Sequence, residues 1–513
     1  NSDFFVESGS LFSIPDTALV TNNYLSFFGS TLKTKNTTFT IRDGFGVAID
    51  TGSILEVEGI QNITGLGVDD SSTLRLAADT ELENDNWMFV GTLDLADFAL
   101  TLGETMSKFN VEQQVTLDAA TEQIISGDAD LSLNGGITVS NGTLSSTEGT
   151  LSASSFSIGA AGTVNILGGT LRLPAGGMAV SGAAFTTSDA TISLEGTLEV
   201  ADTWTITNTS ISLTGEASLS HSSTVPLSLA SLTTNGYNFE LDSETADLTI
   251  QDAFALTGSE VLATNGADLI FEGSVTTSSV STIDAGDGGM LEFQNGGTSA
   301  GTINARNATF KIGSAYAVTG TLKTNSSTIW ELGTANLDLS GARLYLGGDI
   351  VLDNIVTNNG TEFRLNGEDA TVTRDEGFTL GSLDFEGFTF TLASETTDLT
   401  VDPGDSGYWK LIAKQADSDV QLFSSNARST FLENENDDSS STFMSIGNLD
   451  KSNYADLDEK YKFKQVWGGK TVDSSGITKE VTWTQTSWLE ESTTQGFQEI
   501  GTSGYVYNGS SGF

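Results

Sequence analysis

The 513-residue sequence predicts an all-β chain: a right-handed parallel β-helix, or β-solenoid, closed by a C-terminal β module. Three observations carry that prediction. From about residue 10 to 400 helical periodicity is nearly absent, and apolar residues alternate in short bursts such as TISLEGTLEV (191–200), bounded by Gly, Asn, Asp or Ser. A token of Gly, then Ser or Thr, then Leu, Ile or Val recurs, beginning at Gly52, Gly91, Gly142, Gly149, Gly162, Gly169, Gly196, Gly273, Gly301, Gly320 and Gly381, with several spacings near multiples of six to seven. A longer element is repeated at Gly91 (GTLDLADFALTL), Ala230 (ASLTTNGYNFEL), Ala335 (ANLDLSGARLYL) and Gly381 (GSLDFEGFTFTL).

The long element reads as two strands around a corner. Leu93, Leu232, Leu337 and Leu383 start the first strand, and Leu102, Leu241, Leu346 and Leu392 close the second, with apolar partners two residues away on the same face. Between them lie Asp97, Gly236, Gly341 and Gly387, residue types that accept positive φ. The copies are spaced as multiples of a 21–23 residue period, which predicts that each marks the same place on a coil. One such unit cannot bury its apolar face alone, whereas stacked coils bury it and pair every backbone group with the coil above and below.

Three segments follow from this. Residues 1–14 contain Phe4, Phe5, Val6, Leu11 and Phe12, too apolar for a free tail, and read as a capping or joining segment; residues 15–401 read as the helix. Residues 402–513 form a C-terminal β module, where the composition changes: they hold nine of the 21 Lys and Arg and four of the seven Trp.

The LDLxGxxLxL element, followed by SGYWKLIAK (406–414), EKYKFKQVWGGK (459–470) and KEVTWTQT (479–486), resembles the end of β-helical passenger domains of autotransporter-type bacterial surface proteins. The resemblance implies an adhesin-like surface protein. The outer-membrane barrel of that family has no counterpart in the 27 residues after Thr486.

Composition narrows the function. With 68 Asp and Glu against 21 Lys and Arg, the formal charge is −47, a field that repels nucleic acid and anionic lipid. Zero Cys removes disulfides and thiolate sites, and the single His221 removes multi-histidine metal centres. No apolar stretch approaches the roughly 20 residues that span a bilayer. Abundant Gly, Ser, Thr, Asn and Asp suits a secreted protein at the cell surface or in an extracellular matrix.

Candidate constellations are few. GVDD (67–70) places Asp69 and Asp70 like the carboxylate pair of polygalacturonase-type hydrolases, but the asparagine-threonine-aspartate, glycine-histidine-glycine and arginine-isoleucine-lysine motifs that accompany it are missing, so no catalytic residue is assigned. No cofactor is required, and calcium is the ion the carboxylates would take: Asp284 and Asp287 in DAGDGG, and Asp402 and Asp405 in DPGDSG, stand three apart in glycine turns. An ice-binding face would need Thr-x-Thr at one position in coil after coil, and TFT (38–40), TIT (205–207) and TFT (389–391) are isolated.

The expectation is a non-enzymatic, self-associating structural protein, a homo-oligomer or homopolymer that joins through Phe4, Phe5, Val6, Leu11 and Phe12 at one end and Lys462, Lys464 and Trp467 at the other. The alternative is a polysaccharide-binding or polysaccharide-cleaving β-helix, which requires a groove lined by aromatics and carboxylates.

Overall fold

The computed structural model describes residues 4–401 except 7–8, 16–17, 22–24, 42–46, 51, 64–65, 70, 84–86, 181–183, 201–203, 222–224, 242–246, 352, 359, 375–376 and 394–398, and beyond them residues 412–415, 442–445, 449, 460–467, 479–488 and 495–503. It is all-β, with no helix among the described residues, and its first part is a stack of parallel strands forming a β-solenoid. The chain divides into two compact units, Asn1–Val401 and Asp402–Phe513.

Each coil of the first unit contributes three strands, and following the pairing from coil to coil defines three faces. Val115–Leu117, Ile137–Val139 and Phe156–Ile158 lie on the first, Gln123–Ile125, Thr143–Ser146 and Thr163–Ile166 on the second, and Asp130–Leu133, Thr150–Ala153 and Thr170–Arg172 on the third. Three strand starts in a coil of about twenty residues explain the six-to-seven residue spacing of the token. Gly301 precedes a first-face strand, Gly142 a second-face strand and Gly149 a third-face strand. The hydroxyl residue after the glycine points outward and the apolar residue inward, as in Thr150 and Leu151.

The glycine itself is required by the approach of the neighbouring coil. A Cβ on Gly320 would lie 2.1 Å from the carbonyl oxygen of Ala300 and 2.2 Å from that of Gly301, and one on Gly149 would lie 2.2 Å from that of Ala129. Only a residue without a side chain lets successive corners stack at strand spacing.

The repeated element is a corner, as its composition implies. Leu93, Leu232, Leu337 and Leu383 are all buried, and Asp97, Gly236, Gly341 and Gly387 have φ of 72°, 93°, 83° and 87°. Its copies do not mark a single place on the coil, however. Leu93 and Leu383 open strands on the first face, whereas Leu232 and Leu337 open strands on the third. The motif encodes a strand–turn–strand bend, and the solenoid has more than one bend of that kind. Coil length also wanders, from 18 residues (Leu337 against Ile355) to 24 (Thr38 against Asn62), because the corners absorb insertions while the strands stay in register.

The N-terminal segment contributes two strands to the stack. Phe4–Val6 pairs in parallel with Leu25–Phe27, and Leu11–Pro15 with Thr31–Lys35, so they belong to the first coil.

The core is one continuous column of Leu, Ile, Val and Phe. On the second face Phe271, Phe293, Phe310 and Trp330 stack in successive coils with ring centroids 5.3, 5.9 and 5.6 Å apart, and Tyr316 lies 4.4 Å from Phe293 across the interior. Buried hydroxyls at the corners satisfy backbone carbonyls: Thr361 Oγ1 donates to Leu339 O at 2.8 Å and Thr324 Oγ1 to Tyr345 O at 2.9 Å.

The second unit is built differently. Ala413–Gln415 pairs antiparallel with Thr442–Met444, and Tyr461–Trp467, Lys479–Gln485 and Gln498–Ser503 form a three-stranded antiparallel sheet. Its own core is Met444, Tyr461, Phe463, Trp483 and Trp488.

Two substitutions test this packing by chemical denaturation. Phe293→Ala should cost roughly 3–5 kcal/mol. Gly320→Ala should cost about 1–3 kcal/mol, because backbone rather than a flexible side chain stands in the way; an unchanged midpoint for either would show that the register is wrong.

Candidate functional site

In-register stacking sets each outward side chain about 4.8 Å from its counterpart in the next coil. The outward faces are therefore columns, and any function of the solenoid body lies in what each column repeats.

Where charges occupy a column, opposite signs alternate. Lys33 and Glu56 are 2.7 Å apart, Arg75 and Asp94 2.7 Å, Lys311 and Glu292 3.1 Å, and Arg343 and Glu362 2.8 Å, each pair in adjacent coils. Partly exposed as they are, each contributes about 0–1 kcal/mol; their larger effect is to avoid like-charge contact. Elsewhere like meets like. Asp268 is held above the ordinary carboxylate range, first by burial and then by Asp247 in the preceding coil. Asp50 is raised likewise, by burial and by Asp69.

The proposed calcium ligands are engaged with amides. Asp284 Oδ2 accepts from Asn304 Nδ2 and Oδ1 from the Gly286 amide, both at 2.9 Å. Asp287 Oδ1 accepts from Asn307 Nδ2 at 2.8 Å, and Asn325 Nδ2 donates onward to Asn307 Oδ1 at 2.6 Å. These are polar ladders running along the stack, and among the described residues no three His, Asp or Glu side chains are grouped to hold a metal ion. Asp402 and Asp405 lie outside the described residues. Asp69 accepts from the amide and the hydroxyl of Ser71 in a surface turn, and Asp70 lies outside the described residues.

The residues assigned to self-association fall in both units. Phe4, Phe5 and Val6 form the first-coil strand paired with Leu25–Phe27. Leu11 is 64% exposed; Phe12 occupies the inward column of Leu32, Leu55 and Leu74, yet is 36% exposed where those three are fully buried. In the second unit Lys462 is exposed and Lys464 half-buried on the strand Tyr461–Trp467, which also contains Trp467.

Pairing exposes a feature that sequence spacing concealed. On the third face Thr150, Thr170, Thr191, Ser210 and Ser231 align in five consecutive coils, and two residues further on Ser152, Arg172, Ser193, Ser212 and Thr233 form a parallel column. Hydroxyls along the columns are joined, Ser231 to Ser210 at 2.8 Å and Ser152 to Ser132 at 3.3 Å. TIT (205–207) lies on another face. The signal was Thr or Ser, apolar, Ser or Thr at intervals of 19 to 21, hidden because Ser replaces Thr, Arg172 interrupts the second column and the interval drifts.

A shallow groove of about 520 Å³ crosses the first face, lined among others by Glu216, Ser218, Asn238, Glu240 and Val261. Its carboxylates are occupied: Glu216 accepts from the Asn238 amide at 3.0 Å and Glu240 from Asn265 Nδ2 at 2.7 Å. Its aromatic residue, Phe239, is turned into the core. Among the described residues no helix is long and apolar enough to cross a membrane. No family model, curated protein or solved structure matches the chain.

The raised pKa of Asp268, caused first by burial and then by the charge of Asp247, has a definite pH signature. A carboxyl whose folded-state pKa is raised destabilises the fold as pH climbs through its titration range, and the penalty disappears once it is protonated. Asp268→Asn should therefore raise the melting temperature at pH 7, with the gain vanishing at about pH 4 and below. Melts across pH that show a constant or reversed difference would refute the assignment.

Proposed function

We propose that the chain is an extracellular structural protein, a self-associating surface adhesin, fibre or layer subunit, in the manner of the β-helical passenger domains its sequence resembles. The observation that carries this reading is an exposed aromatic residue in the first described coil. Phe12 stands in a column of otherwise fully buried leucines and is 36% exposed, on a strand, Leu11–Pro15, that among the described residues pairs on one edge. An exposed apolar strand edge can be covered by another β layer, and a second copy of the chain can supply one.

Charge favours a head-to-tail joint. The solenoid contains 12 of the 21 Lys and Arg among most of the acids, whereas Lys462 stands exposed on a strand of the second unit within the basic run 460–470. A basic strand meeting the strongly acidic solenoid of a second copy makes a heterologous contact, which propagates as a filament. The stiffness of the stack suits a rod that carries load or holds a partner away from a surface.

The first-face groove does not by itself support the polysaccharide reading: among its described lining residues there are carboxylates, and the aromatic Phe239 is turned inward.

Sedimentation velocity and negative-stain microscopy test the proposal. The full chain should form filaments, and Phe12→Asp should weaken association by at least about tenfold, as expected from losing one buried aromatic side chain. Circular dichroism melts should show the variant still folded. A wild type that stays monomeric at high concentration, or a folded variant that assembles equally well, would overturn it.

A further inference from the structure

Adjacent coils of this rod are held together non-covalently, and a chain without Cys cannot staple them with disulfides. On the first face, however, a different set of reactive groups is stacked. Pairing aligns Asp284, Asn304 and Lys323 in one outward column over three consecutive coils.

The amide of Asn304 is held at both ends. Its Nδ2 donates to Asp284 Oδ2 at 2.9 Å, and its Oδ1 accepts from Arg306 Nε at 3.0 Å. A guanidinium on the carbonyl oxygen draws electron density from Cγ and would stabilise an oxyanion there. A carboxylate on the amide nitrogen stands where a proton must arrive if that nitrogen is to leave. Lys323 is in the next coil, one strand spacing from Asn304, and its four-carbon stem allows Nζ to fold back over the amide.

Lys323 is also unusual in this chain. It is half-buried and makes no ion pair within 4.0 Å among the described residues, despite the excess of carboxylates. Burial, and then the nearby Arg306 charge, lower its pKa against the opposing pull of Asp284, which increases the fraction of neutral, nucleophilic amine.

We propose that Lys323 and Asn304 become joined by an intramolecular isopeptide bond between adjacent coils, with Asp284 carrying the proton. The Nζ lone pair attacks Cγ of Asn304, giving a tetrahedral oxyanion facing Arg306. The Cγ–Nδ2 bond then breaks, and the nitrogen leaves as ammonia with the proton that Nζ gives up, relayed by the Asp284 carboxylate. No oxidant, metal or second substrate is needed. The product is a secondary amide that ties the coil containing Asn304 to the one containing Lys323.

Intact-mass spectrometry of the purified full chain tests this, together with peptide mapping. The protein should be one ammonia lighter than its sequence requires, and a branched peptide should contain both Lys323 and Asn304. Lys323→Arg and Asp284→Ala should restore the full mass and lower the melting temperature, with circular dichroism establishing that they fold; Thr302→Ser, on the same strand, should keep the loss. Succinimide formation at an Asn-Gly step also expels ammonia, so a loss that persists in Lys323→Arg overturns the proposal. A wild type of full mass with no branched peptide overturns it equally.

Discussion

Parallel in-register stacking sets every residue of the solenoid beside its counterpart in the next coil, and nearly everything else follows from that adjacency. Inside, it turns isolated apolar residues into continuous columns, so that Phe271, Phe293 and Phe310 follow one another in ring contact and a thin core is kept buried. At the corners it brings backbone against backbone, which excludes side chains at positions such as Gly320. Outside, it would stack like charge on like, and the alternation of Lys33 with Glu56 and of Arg75 with Asp94 answers that threat with the few cations the chain has.

That same adjacency decides what could be read from the sequence. The inward leucines of the repeated element and the positive φ at Asp97, Gly236, Gly341 and Gly387 were legible because they depend on local chemistry: alternation, and a corner that needs a permissive residue. The location of each copy was not legible. A strand–corner–strand motif is the same whether it joins the third face to the first or the first to the second, so Leu337 and Leu383 look alike in sequence and sit on different faces.

The outward columns were least legible of all. Asp284 and Asp287 looked like a pair of ligands because they are three apart in a glycine turn, but their partners, Asn304 and Asn307, are twenty residues on, in the next coil. Coil lengths between 18 and 24 blur any fixed period, so neither the hydroxyl columns of the third face nor the grouping of Asn304, Arg306 and Lys323 can be found without the pairing itself. In the second unit the basic strand was recognisable by composition, while its antiparallel partners, being non-local, were not.

The nearest-neighbour character of the stack also governs how such a body fails. Each inner coil is held from two sides, whereas any coil at an end of a stack has one neighbour. Fraying should begin at such a coil and advance inward one layer at a time, so resistance to proteases grows with the number of layers between an end and the middle. A covering on the end layer would protect every layer behind it, which makes length and end-closure, rather than any single contact, the determinants of how long the folded stack survives.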